Sequence, residues 1–260
     1  MPYFELNNSE KSQWKSINEG YLKIRSQYFF NNANIILSHE KYFRQNIMNN
    51  LIGNIKIDTK IRNSKGEIYK GIDIAKFNKE LRKNLSQDSK LIFEIYNEDG
   101  VFYTSNQKKG FDFGYLDNKY NLIQLWNLCF GKRGLHNGQS HWEKSLKSNR
   151  FFERTAEEID FKTEYFQKGI SCDSDKQILT ILGELQFGNW GLIYRDLFKL
   201  LHADANSGVD LFVYVVADGD LLNYASEGIV TFEKTVNILN EFASLVKVPV
   251  WVIGLDIEIL

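Results

Sequence analysis

Gly183-Glu184-Leu185-Gln186-Phe187-Gly188-Asn189-Trp190 sets two polar residues inside an otherwise apolar run. The run from Ile178 to Phe187 is rich in apolar and β-branched residues and reads as a central strand. Alternate side chains of a strand share a face, so Glu184 and Gln186 project together while Leu185 packs behind them. Upstream, Gly169 to Asp173 reads as a short strand and Ser174 to Gln177 as a turn, so Asp173 and Asp175 can fold back beside Glu184. Two carboxylates and an amide at the end of such a hairpin make an oxygen-rich site. Hard oxygen donors suit Mg²⁺, which keeps several waters and completes its shell with substrate phosphate. An ion held there could polarise a phosphodiester and activate water. The competing structural role for Glu184 and Gln186 is a buried polar pair that hydrogen-bonds its neighbours.

Other chemistry-bearing residues are weaker candidates. His136 and His141 stand five apart with no cysteine or acid at zinc spacing. Cys172, with no histidine near it in sequence, reads as a small core residue. The chain has no Gly-x-Ser-x-Gly elbow and no Walker loop, so a nucleotide cofactor is not expected. Glu157 and Glu158 could assist a metal, but such a pair is more often a solvated helix face. Arg195 could contact phosphate or pair with the neighbouring Asp196.

The elements that must position these residues follow from periodicity. The first fifty residues read as helical: Ser9 caps, and Trp14, Ile17, Tyr21 and Ile24 follow at three- and four-residue steps. Residues 54–74 alternate as a hairpin with a basic face, turning at Asn63-Ser64-Lys65-Gly66. Residues 73–85 form an amphipathic helix bearing Lys76, Lys79, Arg82 and Lys83. A second hairpin turns at Asn97-Glu98-Asp99-Gly100, and helices are expected over 142–152 and 156–165. Asn189 can cap a helix over 191–201; strands at 210–216 and 248–253 flank a helix over 232–246. The result is an α/β class with a mixed β-sheet flanked by helices.

Composition bounds the function. With 43% apolar and 14% aromatic residues the chain is not intrinsically disordered. No run of 18 apolar residues offers a membrane span, and the first residues lack the pattern of a signal peptide. Two cysteines are too few for a disulfide scaffold, which points to a reducing, cytoplasmic setting. The net charge of −1 conceals a division: residues 1–150 carry 24 basic against 15 acidic side chains, and residues 151–260 carry 8 against 18. This segregation suggests a polyanion-binding part, residues 1–150, joined to an acidic part, residues 151–260.

Three stretches, Gly183–Trp190, Ala225–Glu233 and Val248–Leu255, resemble in order the type II restriction endonucleases of the BglII and BstYI kind, within the PD-(D/E)XK nuclease superfamily. Members of that group carry Glu-x-Gln where most relatives have Glu-x-Lys. The resemblance implies a PD-(D/E)XK nuclease core over 151–260 with an additional N-terminal α+β region over 1–150 that contributes DNA contacts. It implies Mg²⁺-dependent hydrolysis of double-stranded DNA at a short, palindromic site, leaving 5′-phosphate ends, by a homodimer. Glu184 would be the metal-binding acid, the backbone carbonyl of Leu185 would complete the shell, and Gln186 would orient water. The partner acid would be Asp173 or, at nine residues before Glu184, Asp175. Asn189 would approach DNA, where asparagine can read adenine. The alternatives are another nuclease of this fold, for repair or structure-specific cleavage, and a DNA-binding protein without catalysis.

Overall fold

The computed structural model describes residues 19–64, 67–105, 110–225 and 228–259. Its elements in chain order are β1 (Glu19–Phe30), α1 (Ala33–His39), α2 (Lys41–Leu51), β2 (Gly53–Lys56), β3 (Thr59–Ser64), β4 (Glu67–Ile72), α3 (Ile74–Leu85), β5 (Ile92–Glu98), β6 (Val101–Thr104) and β7 (Phe111–Tyr115). They continue with α4 (Asn118–Phe130), α5 (Gly138–Ser148), α6 (Arg150–Glu158), β8 (Ile181–Gln186), α7 (Leu192–Ser207), β9 (Leu211–Ala217), α8 (Leu221–Tyr224), α9 (Phe232–Glu241) and β10 (Val250–Ile259). The chain divides into two compact units. One holds Met1–Leu91, Gly183–Lys199 and Leu211–Leu260, and the other holds Ile92–Leu182 and Leu200–Asp210.

In the first unit the hydrogen-bonded strand order is β2-β1-β10-β9-β8. β9 and β10 run parallel, while β1 pairs antiparallel with both β10 and β2. Every residue of β9, and every residue of β10 from Val250 to Ile257, is buried. Such near-continuous apolar runs are what a sheet covered on both faces requires. The helices α1, α2, α3 and α9 each bury an apolar stripe, so the class is α/β with a mixed sheet and flanking helices, as expected. Asp73 caps α3 by accepting from the amides of Ala75 and Lys76, and Phe77 packs edge-on against Phe187 at 5.2 Å. The basic hairpin forms as β3 and β4, paired from Thr59↔Ile72 to Ser64↔Glu67, with the Lys65-Gly66 part of its expected turn outside the described residues.

The helical reading of the first fifty residues holds only for α1 and α2. Residues 19–30 are a strand, and Ser9, Trp14 and Ile17 lie outside the described residues. Leu22 and Ile24 alternate with Lys23 and Arg25, so a period of two was available alongside the helical spacing of Tyr21 and Ile24. Pairing with β10 along nearly the whole of β1 decides between them.

In the second unit the strands lie in the order β7-β5-β6, all antiparallel. The β5–β6 hairpin forms where the Asn97–Gly100 turn predicted it. Its helices α4, α5 and α6 gather Tyr103, Trp126, Phe130, Trp142 and Phe152 into one aromatic core, with Phe161 and Phe166 against it. Trp126 sits at the centre, with Phe130, Trp142, Phe161 and Phe166 all between 4.6 and 5.5 Å away. The helix expected over 142–152 breaks at Asn149, a buried side chain whose Oδ1 accepts from the Thr104 amide and hydroxyl. That expected over 156–165 ends at Glu158.

Candidate active site

β8 places Glu184 and Gln186 on one face, and both are buried, at 4% and 5% exposure. In the first unit that face is met by the first two turns of α7. Asp196 and Lys199, three residues apart and therefore neighbours on a helix surface, reach the two strand residues. Lys199 Nζ donates to Glu184 Oε1 and lies 3.6 Å from Asp196 Oδ1. Gln186 Nε2 donates to Asp196 Oδ2 at 2.5 Å, and Gln186 Oε1 accepts from the Gly188 amide at 3.0 Å. Asp196, fully buried, also accepts from the Tyr214 hydroxyl at 3.0 Å and from Arg195 Nε and NH2 at 3.1 and 2.8 Å.

The electrostatics follow from this packing. Burial, then the Asp196 and Glu184 charges, raise the Tyr214 hydroxyl well above its ordinary range, so it acts as a donor throughout the working range of pH. Burial works against the Arg195 charge, but its hydrogen bonds to Asp196 and the Asp196 and Glu184 carboxylates outweigh that and raise it. Gln186 is thus an amide with both ends engaged: the carbonyl by its own turn, the nitrogen by Asp196. One N–H of its amide group is left to direct elsewhere.

The turn after β8 is built by a second contact. Trp190 N donates to Gly228 O and Val230 N to Gly188 O, closing a bridge between Asn189 and Ile229. Asn189 is exposed, and its Oδ1 accepts from the Gly191 amide at 2.9 Å, ahead of α7. Trp190 is held by the Lys234 ammonium, 3.8 Å from its ring centroid. Two of the three sequence stretches therefore meet here, although Ser226 and Glu227 of the second stretch lie outside the described residues. Arg195 pairs with Asp196 and keeps 47% of its side chain exposed.

Asp173 and Asp175 belong to the second unit and are both exposed. Gly169 to Asp173 forms no strand. Its backbone is satisfied instead by Asn127, which exchanges two hydrogen bonds with Cys172 at 2.7 and 2.9 Å, and by Phe130 O, which accepts from the Gly169 amide. The Tyr165 hydroxyl donates to the Asp173 carbonyl. Beyond Asp175, the buried Asp117 accepts from the Gln177 and Ile178 amides at 2.8 and 3.2 Å while also capping α4. Asp210 accepts from Lys176 and from the Thr180 amide. β8 consequently begins at Ile181, three residues later than its apolar run suggests. Glu157 and Glu158 are exposed on α6.

Sequence reading missed Asp196, Lys199 and Tyr214 as partners of the β8 face, and Asn127 and Asp117 as anchors of the acid-bearing segment. The Asp196/Lys199 spacing was a usable signal. Tyr214, inside an apolar strand, gave none.

For a divalent ion the donor chemistry fits. Glu184 is a buried carboxylate already matched to a cation. Beside the Leu185 carbonyl, which accepts from Asn78 Nδ2 at 3.4 Å, lies Asn78 Oδ1, a buried oxygen with no hydrogen-bond partner. Oxygen donors of this kind suit Mg²⁺ rather than zinc. Among the described residues no group of three or more His, Cys, Asp or Glu is placed to hold a metal.

A family model for the restriction endonucleases BglII/BglIII matches residues 26–255. Two solved structures resemble the chain at 12% sequence identity. BglII complexed with a DNA 16-mer has a TM-score of 0.46, covering 88% of this chain and 74% of that one. Free BglII has a TM-score of 0.38, covering 88% and 77%. No curated protein sequence matches. With most of its length matched by the family model, the chain belongs to the BglII/BglIII restriction endonuclease family and is by that membership a type II site-specific deoxyribonuclease.

Proposed function

We propose that the chain hydrolyses double-stranded DNA at a short palindromic site in a Mg²⁺-dependent reaction that leaves 5′-phosphate ends. Family membership supports the reaction class, and the burial of Glu184 beside Gln186 on one strand face carries the choice of site. Glu184, the Leu185 carbonyl and Asp173, with Asp175 as the alternative acid, would hold the ion. Bound there, Mg²⁺ would polarise the scissile phosphate and activate the attacking water. Gln186 donates through its remaining N–H, while Asp196 and the Gly188 amide keep its amide from turning. A neutral amide can orient water but cannot stabilise its developing charge as an ammonium would.

Asn189, exposed at the start of α7, is assigned to DNA contact, and Arg195 to a phosphate through its exposed part. Residues 1–150 supply phosphate contacts and part of the recognition surface, and residues 151–260 supply the catalytic core. The working form is a homodimer acting in the cytoplasm.

The test is incubation of plasmid DNA with the purified chain in Mg²⁺ or in EDTA, followed by sequencing of the fragment ends. Discrete, Mg²⁺-dependent fragments with 5′-phosphates are expected. A smear would indicate a general nuclease, and shifted but uncut DNA a binder without catalysis. Glu184→Ala should abolish cleavage, and full Mg²⁺-dependent activity in that variant would refute the assignment. Comparing Asp173→Asn with Asp175→Asn then decides the second acid: the ligand is the one whose loss both lowers the rate and raises the Mg²⁺ concentration needed.

A further inference from the structure

The face shared by β8 and α7 carries two buried anions and two cations. Glu184 and Asp196 are 4% and 0% exposed, and Lys199 and Arg195 are the positive groups that meet them. One ammonium serves both carboxylates: Lys199 Nζ donates to Glu184 Oε1 and sits 3.6 Å from Asp196 Oδ1. Arg195 is fixed to Asp196 by two nitrogens. A divalent ion brought to Glu184 would repel the neighbouring ammonium in this poorly screened setting and compete with it for the same Glu184 oxygens. Lys199 is the group able to yield. It is a point charge on a flexible stem with 20% of its side chain exposed, whereas the guanidinium is a planar fork already engaged.

We propose that Lys199 is an internal counter-ion for Glu184 which a divalent metal must displace, so that this lysine sets the metal concentration at which the site loads. This rests on the reading of Glu184 as the metal-binding acid. Lys199 holds the Glu184 carboxylate in place before loading. On displacement its ammonium leaves through its exposed side, and the Gln186 bonds, none of which it makes, are kept. It is a positioning residue.

The test needs no turnover and no DNA. The thermal unfolding midpoint of the full chain is followed against MgCl₂ or CaCl₂ at constant ionic strength, for the wild type, Lys199→Met, Lys199→Arg and Glu184→Gln. Lys199→Met should half-saturate at a divalent concentration about tenfold lower than wild type, and should melt earlier in EDTA. Lys199→Arg, which keeps a cation there but holds the carboxylate more firmly, should half-saturate at or above the wild-type concentration, and Glu184→Gln should not respond. If Lys199→Met is unfolded in EDTA, restoration of folding by divalent ions supports the exchange, and failure to restore it overturns it. An unchanged half-saturation in Lys199→Met while Glu184→Gln is silent overturns the counter-ion role and leaves the Glu184 assignment standing. A wild-type response in Glu184→Gln overturns the assignment itself. No response in either wild type or Lys199→Met overturns the proposal.

Discussion

Gln186 shows how one side chain's role is limited by what already holds it. Its carbonyl accepts from the Gly188 amide and its nitrogen donates to Asp196, so the amide is oriented by the fold before any substrate arrives. A lysine at this position could donate to Asp196 but could not accept from Gly188, and it would add a third cation beside Arg195 and Lys199. Gln186→Lys is therefore expected to cleave no faster than wild type, and to lose about 1–2 kcal/mol of stability from the orphaned amide and the added charge. Single-turnover cleavage and urea unfolding check the two parts separately, and a faster Gln186→Lys enzyme would show that charge rather than orientation limits the reaction. Glu-x-Gln was legible as a motif. The engagement of both ends of the amide was not, because Asp196 lies ten residues on in sequence.

The elements are tied at their ends by buried carboxylates. Asp256 in β10 accepts from the amides of Asp220 and Ile257 at 2.7 and 2.8 Å, and it faces Lys23 and Arg25 of β1 at 3.7 and 3.5 Å. One side chain thus joins β1, β10 and the loop after β9. Burial pushes its carboxyl up, but the amide bonds and the Lys23 charge outweigh burial and lower its pKa. A carboxyl that is more acidic in the native chain stabilises fully above the unfolded pKa and loses that contribution as pH falls through the native value, so the window lies below about pH 4. Asp256→Asn should cost about 1–2 kcal/mol at pH 7, with the gap to wild type narrowing by pH 3. Denaturant unfolding at the two pH values measures it, and a gap that persists unchanged would exclude the charge as its source. In the other unit Asn127 and Asp117 perform the same service for the segment bearing Asp173 and Asp175, where hydrogen bonds to side chains replace the strand expected from the sequence.

At the scale of the whole molecule, the uneven charge along the chain predicts salt-dependent DNA binding. α3 presents Lys76, Lys79 and Lys83 to solvent while its apolar face holds Phe187, the residue that follows β8. Lys83 is 76% exposed and loosely paired with Glu80 at 3.7 Å, leaving it available to phosphate. Affinity should fall at least about tenfold between 50 and 200 mM salt. Replacing Lys79 and Lys83 by Glu should weaken binding to all sequences alike and lower the salt exponent by about two. Fluorescence anisotropy with labelled duplexes in EDTA reports both. An unchanged slope would remove α3 from the interface.

The sequence by itself determined the fold class and much of the local structure. Alternation, apolar runs and turn residues placed the β3–β4 and β5–β6 hairpins, α3, β9, β10 and the Glu184/Gln186 strand face, because those signals are local and carried by neighbouring residues. It also carried the family resemblance, through three short stretches. Tertiary structure decided what depends on distant partners. It made residues 19–30 a strand through β10, denied one to Gly169–Asp173 by giving its backbone to Asn127, and brought Asp196, Lys199 and Tyr214 onto the face of Glu184 and Gln186. The physical reason is the same in each case. A backbone group or a buried charge must be satisfied by some partner, and the sequence states the need without stating where in the chain it will be met.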